Sequence, residues 1–409
     1  MAPYYFMFFV WFVGSGAQVL ARPLMALDLG ASAFLVVFVA VSNTIGAMVS
    51  APITGFLTDR FGRRPLLLAG TLIRAATLFG QFAAANYWQF FILEFIGGIG
   101  VSMWTTSSSI AMADITTTEN RGRLLALRQM TSRIGNLVGP ATASLIIVAF
   151  NDDIRYVFLL NAGSKIAVFF LLLYLVKETA PEVNRGGRNA ATTPSGALDL
   201  SFFFTKGFFA LFLTTLALSM MGGAGAFGSL FPVQAKELGI SSSGLGQLIT
   251  LAGLIGLAVT YPNGWAVDRL GRKATLVPGL GLLALAAVVL SSLHHMSQVY
   301  AVIVLYGIGS AVSMGASQAF AADLAPADRR GTFLGIWTTV SNVGSIVAPL
   351  LIGAIASQLG YTPGYIFIAV VLVVGALFMA LFGPETGARR ARPDQPPSRQ
   401  VRPPVGTPP

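Results

Sequence analysis

The sequence predicts an all-α membrane protein of twelve transmembrane helices, built as two parallel six-helix repeats (6+6). Three observations lead there: the composition, a series of long apolar stretches, and an internal repeat. Of 409 residues, 55% are hydrophobic and 10% charged, with a mean hydropathy of +0.73. Soluble domains carry roughly a quarter charged residues, so this chain is composed for lipid rather than water.

A helix that crosses about 30 Å of hydrocarbon needs roughly 20 apolar residues. Such stretches run over 4–24, 32–56, 65–85, 88–112, 124–150 and 156–176, then 207–230, 241–263, 274–293, 298–320, 333–357 and 363–382. Backbone groups in lipid must bond internally, so these are helices; a transmembrane barrel would show alternating ten-residue segments, which the sequence lacks. The first span has no basic lead and is followed at once by others, so it is expected to stay in the protein. Only Met1 to Pro3 precede it, which leaves the start codon open.

The chain has no cysteine, which removes disulfides and thiolate metal sites. His294 and His295 are adjacent at a predicted helix end, where neighbours project about 100° apart, and read as solvated loop residues rather than a ligand pair. No metal, cofactor or catalytic constellation is expected, hence no enzyme.

A net charge of +10 raises the possibility of a nucleic-acid partner, but the placement of the charges points to membrane orientation instead. With both termini in the cytoplasm, the cytoplasmic segments hold 19 Lys and Arg, the external loops three (Arg22, Arg155, Lys236), and the spans four (Arg74, Arg128, Arg133, Lys165). The expected divisions are an N-terminal bundle (1–182), a polar cytoplasmic linker (183–206), a C-terminal bundle (207–386) and a disordered Pro/Arg-rich tail (387–409). The expected location is the cell membrane.

A shift of 209 residues aligns the halves without a gap from Gly14 on Gly223 to Tyr156 on Tyr365. Pro23 falls on Pro232, Asp59 on Asp268, Gly62 on Gly271, Gly98 on Gly307, Asp114 on Asp323, Gly135 on Gly344 and Pro140 on Pro349. Six helices per repeat is even, so both copies enter the membrane the same way, an arrangement in which two bundles rock about a site at their interface.

The most specific marks are Gly55-Phe-Leu-Thr-Asp59-Arg-Phe-Gly62-Arg63-Arg64 and Gly264-Trp-Ala-Val-Asp268-Arg-Leu-Gly271-Arg272-Lys273. Both resemble the G-x-L-x-D-R-x-G-R-[RK] loop of the major facilitator superfamily, and the resemblance covers nearly the whole chain short of the tail. It implies a transporter that works as a monomer, with a central cavity lined by helices one, four, seven and ten. It also implies that these loops latch the cytoplasmic side: Asp59 facing the start of the eleventh helix near Gly331, Arg63 reaching Asp114, and Asp268, Arg272 and Asp323 mirroring them. Gly55 and Gly62 would allow the tight turn.

Gly135-x-x-x-Gly139-Pro140 resembles, in part, a fifth-helix motif of the superfamily's proton antiporters. Its second copy, Gly344 to Pro349, and its small-residue spacing fit helix packing equally well. The run Gly223-x-Gly225-x-x-Gly228 matches a dinucleotide fingerprint only on paper, since no strand precedes it.

A charge inside a span carries an insertion penalty of about 2.5–3.5 kcal/mol and marks function by default. Glu94 stands where the family pattern places Arg. It reads either as a proton-exchanging acid or as half of a structural ion pair, with Lys165 and Arg133 as expected partners. Arg74 and Arg128 read as structural. Gln18, Asn43, Trp104, Phe227, Ser317, Gln318 and Trp337 are the polar and aromatic cavity candidates. Two transport readings follow: proton-coupled export of small amphipathic molecules, or proton-coupled import of a small organic anion held by Arg133 and Lys165. The expected partners are thus a small molecule, protons and the lipid bilayer.

Overall fold

The computed structural model describes residues 2–114, 121–176, 178, 205–222, 224–325 and 330–386; the expected tail and all but the end of the linker lie outside them. The first half comprises α1 (Ala2–Asp28), α2 (Ala33–Phe61), α3 (Arg63–Phe82), α4 (Tyr87–Asp114), α5 (Arg121–Ala149) and α6 (Arg155–Leu175). The second comprises α7 (Lys206–Met221), a π-helical turn (Ala226–Leu230) running into α8 (Phe231–Glu237), then α9 (Ser242–Leu270), α10 (Arg272–Ser291), α11 (Met296–Leu324), α12 (Arg330–Leu359) and α13 (Tyr361–Phe382). α7, the π turn and α8 make up the seventh span, so later helices carry numbers one higher than their spans. Among the described residues, twelve segments are long and apolar enough to cross a membrane, and none of the regular structure is strand.

The helices overrun the expected spans because hydropathy marks where lipid ends, not where helical hydrogen bonding stops. The duplicated loop is therefore mostly helix. Gly55 lies inside α2 and makes no turn; the reversal rests on Gly62 at φ 97° and its counterpart Gly271 at φ 100°, a backbone region that side chains rarely tolerate. Ser32 and Ser241, equivalent in the repeat, cap α2 and α9 by accepting from Leu35 N at 3.4 Å and Gly244 N at 3.1 Å.

The halves meet at one end and part at the other. At the end away from the duplicated loops, Lys236 pairs with Asp28 at 2.9 Å and the Ser144 hydroxyl donates to Ser243 O at 2.8 Å. Gly246 of α9 fits so closely that a methyl there would lie 3.0 Å from both Leu20 and Pro140 O. One apolar core joins both halves at this end, whereas a second, around Tyr4, Phe8, Trp11, Leu67, Trp104 and Leu172, belongs to the first half alone. At the loop end Tyr261 and Trp265 of α9 face Gln129 and Met130 of α5 across open space.

Candidate functional site

Between the halves lie three connected cavities. The innermost, about 300 Å³, is bordered by Val19 of α1, Arg133 and Pro140 of α5, Phe227 of the π turn, and Tyr306 and Ser310 of α11. A second, about 440 Å³, shares Tyr306 and Met314 with it and is bordered by Thr215, Ser219, Gln318, Trp337, Ser341 and Ser345. A third, about 720 Å³, shares Arg133 and Thr260 with the first and opens toward the duplicated loops. The lining is largely apolar, with hydroxyls on the second-half wall. Among the described residues Arg133 is the sole charged side chain bordering the three cavities, and it donates to Thr260 Oγ1 at 3.5 Å.

Of the expected cavity residues, Phe227, Ser317, Gln318 and Trp337 border this space, while Gln18, Asn43 and Trp104 do not. Trp104 is fully buried in the first half and stacks on Trp11 with ring centres 4.0 Å apart. Ser317 apart, the hydroxyls of this wall are not among the expected residues, although their spacing carries a signal. Thr215 and Ser219, and Trp337, Ser341 and Ser345, repeat every four residues and so share a helix face.

Gln18 and Asn43 serve Glu94 instead. Glu94 is fully buried on α4. Its Oε1 meets the Arg22 guanidinium and accepts from Gln18 Nε2 at 2.8 Å; its Oε2 accepts from Arg74 at 2.9 Å and Asn43 Nδ2 at 3.1 Å. Gln18 Oε1 in turn accepts from Arg74 at 2.6 Å and Asn161 Nδ2 at 2.8 Å. The expected partners, Lys165 and Arg133, are thus replaced by Arg22 and Arg74. Arg22, expected in an external loop, lies inside α1, one turn after Gln18. Two guanidinium groups and two amide donors on one carboxylate form an ion-paired network, the second of the two readings left open for Glu94.

Lys165 is also fully buried, but its partners are neutral: Trp11 O at 2.7 Å, Ser15 Oγ at 3.0 Å and the face of Trp11 at 4.1 Å. Arg128 rests on Phe8, 4.6 Å from the ring centre.

At the loop end, Arg63 Nε lies 2.9 Å from Asp114 Oδ2, and Arg272 Nε lies 2.8 Å from Asp323 Oδ2. Asp59 is exposed; its expected approach to the start of α12 near Gly331 lies outside the described residues, as does the Asp268 side chain. A carboxylate that the sequence reading missed completes each turn. Glu178 accepts from the backbone N of Arg63 and of Arg64, both at 3.0 Å, and Glu385 accepts from Lys273 N at 3.4 Å. The signal was the Glu-Thr pair after the last span of each half, which sits 207 residues apart and so escaped a strict 209-residue shift.

Gly135 and Gly139 pack α5 onto α1 within the first half, where methyl groups would come 2.8 Å from Phe12 and 2.5 Å from Ala17 N. Gly344 has no such neighbour: the nearest atom to a methyl there would be Leu216 Cδ1 at 3.9 Å. Pro140 and Pro349 sit inside their helices.

Two six-span halves around a cavity closed at one end define a multi-pass membrane transporter. The sequence profile of the Major Facilitator Superfamily matches residues 4–233 and again 213–407, and the chain belongs to that family. It is 22% identical to the MFS-type transporter YqjV of Bacillus subtilis, over 94% of this chain and 95% of the relative. It is 24% identical to a gentisate transporter of Corynebacterium glutamicum, over 82% and 76%, and 23% identical to the multidrug resistance protein MdtH of Salmonella paratyphi B, over 69% and 67%. Among solved structures, a D-xylose-proton symporter superposes with a TM-score of 0.76 at 20% identity, over 94% of this chain and 98% of that one.

Proposed function

We propose that this transporter exports small amphipathic molecules in exchange for protons, by alternating access of the cavity between its halves. The observation that carries the reading is the cavity itself: an apolar lining with aromatic faces at Phe227, Tyr306 and Trp337, hydroxyls for orientation, and one open end. With the duplicated loops and both termini in the cytoplasm, as the basic residues favour, the open end faces the cytoplasm, where an exported molecule loads. Closing would bring the loops together, with Asp59 and Asp268 approaching the opposite half while Arg63–Asp114 and Arg272–Asp323 hold the turns rigid. The Gly135-to-Pro140 motif and the name of the relative MdtH support export.

Arg133 favours a second reading, in which the cargo is a small organic anion. Lys165, held away from the cavity, leaves Arg133 to bind it alone.

Proteoliposomes with an imposed pH gradient separate the readings, with ethidium and gentisate as probes. Export of amphipathic molecules predicts gradient-driven ethidium movement that Trp337→Ala slows. The anion reading predicts gradient-driven gentisate movement that Arg133→Ala abolishes. If the gradient drives neither probe, proton-coupled transport of these classes is wrong.

A further inference from the structure

Among the described residues Glu94 and Lys165 are the two ionisable groups fully buried within the spans of the first half, and they differ in what holds them. Protonating Glu94 would leave the buried Arg74 and the half-buried Arg22 without their counter-ion. Lys165 has no carboxylate partner among the described residues. Its three contacts are a carbonyl, a hydroxyl and an aromatic face, so it can release a proton without stranding an opposite charge.

The surroundings fit that exchange. From α3 the charged neighbour is Arg74, itself held by Glu94 and Gln18. From α1 the groups in contact are the neutral Trp11 and Ser15. From α5, Arg128 is engaged on Phe8 and Arg133 borders the cavity. Ser15 is partly exposed and lies one turn before Val19, which borders the innermost cavity; residues four apart share a helix face. Ser15, in contact with the Lys165 amine, therefore lies on the face of α1 that carries Val19 to the innermost cavity.

We propose that Lys165 is the proton-exchanging group of this transporter and that Ser15 relays the proton between its amine and the cavity. The proposal rests on the reading that transport is proton-coupled. In the outward step the ammonium N–H passes its proton to Ser15 Oγ while the Ser15 hydroxyl proton leaves to cavity water. The Ser15 hydroxyl, which now donates to Trp11 O at 3.0 Å, can then turn to donate to the amine lone pair. The charge also clamps α6 to α1, and α1 carries Val19 in the cavity and Leu20 against α9. Loss of the charge loosens the helix that touches both cargo and partner half.

The test uses the full chain in proteoliposomes, with ethidium and gentisate as probes, comparing pH-gradient-driven accumulation with counterflow at equal pH. Lys165→Met is expected to lose gradient-driven accumulation and keep measurable counterflow. Lys165→Arg, which cannot give up its proton, is expected to lose accumulation as well, and Ser15→Ala to slow it. Gradient-driven accumulation in Lys165→Met at the wild-type rate overturns the proposal. So does loss of both modes in a Lys165→Met protein that melts like wild type, since the residue would then serve transport as a whole. A wild type that the gradient drives with neither probe overturns the proton-coupled reading and the proposal with it, a different result from failure of the variant alone. If Lys165→Met does not fold, the wild type still decides. Trp11 lies against the amine, so a pH-dependent step in tryptophan emission that Trp11→Phe removes is expected, and the absence of that step overturns the proposal.

Discussion

Where the first half has the buried Gln18, Arg74, Gln81 and Glu94 with the half-buried Arg22 and Asn43, the second half, 209 residues on, has Phe227, Leu283, Leu290 and Ile303 with Phe231 and Ala252. One set forms an ion-paired network. The other is apolar, with Phe227 stacked on Phe231 at 5.2 Å and on Tyr306 at 3.5 Å between ring centres. The last helices of the two halves match at 207 residues, which places Leu372, fully buried, where the first half has Lys165. The same succession of helices thus packs with or without buried charge. Since apolar residues of similar volume often stabilise as well as a buried ion pair does, the fold alone does not account for the first-half network. The charges set the first half apart, and the second supplies most of the cavity wall of hydroxyls and aromatic rings.

The contrast breaks most easily at Glu94. Glu94→Gln keeps the shape but leaves the buried Arg74 and the half-buried Arg22 with no counter-ion, and is expected to destabilise by about 3–5 kcal/mol. At the equivalent site Ile303→Val should remove about 0.5–1.5 kcal/mol. Unfolding midpoints in detergent compare the two, and equal losses would mean that the network carries no more than ordinary packing.

A smaller difference is expected at the repeated glycines. A methyl at Gly139 would lie 2.5 Å from the α1 backbone, and Gly139→Ala should destabilise by about 1–3 kcal/mol as α5 is pushed from α1. Gly344→Ala meets nothing closer than 3.9 Å and should stabilise α12 by about 0.5–1 kcal/mol, the helix propensity of Ala over Gly. The second half already carries Ala348 where the first has Gly139. If both substitutions shift the melting temperature in the same direction, the packing asymmetry is not real.

The spans, the repeat and the duplicated turns were legible because lipid demands some twenty apolar residues per crossing and a one-residue helix reversal demands Gly62 and Gly271. Glu94 was legible as a charge at depth. Its partners were not, because hydropathy gives a residue's depth but not the direction in which it faces. Arg22 sits one turn beyond Gln18 on α1, yet a span cut near residue 24 placed it at the lipid boundary and assigned it to a loop. Arg74 read as structural, with no partner named, because nothing in α3 alone points at α4. Trp104 lies on a helix expected to border the cavity but turns toward Trp11. The cavity wall was partly readable: Trp337 and Phe227 stood out by size, whereas Thr215, Ser341 and Ser345 are hydroxyls that any apolar helix can carry, bonded to their own backbone.

The finest distinction lies in the caps of α3 and α10. Both helices begin immediately after a glycine with no side-chain cap of their own, so their first backbone N–H groups need an acceptor from elsewhere. In the first half Glu178 supplies one oxygen to each of two N–H groups at 3.0 Å, and its negative charge lies at the positive end of the helix. In the second half Glu385 makes one longer contact at 3.4 Å, and Arg272 N turns to Thr386 O at 3.2 Å instead. Glu178→Ala is therefore expected to destabilise by about 1 kcal/mol, within the range of a lost cap, and Glu385→Ala by less. Both should also loosen the Arg63 and Arg272 turns, since the capped residues carry the pairs to Asp114 and Asp323. Hydrogen exchange of the Arg63 and Arg64 amides against those of Arg272 and Lys273 reads this locally: faster exchange confined to the first pair in Glu178→Ala supports the cap, and unchanged exchange there would assign Glu178 to solvent.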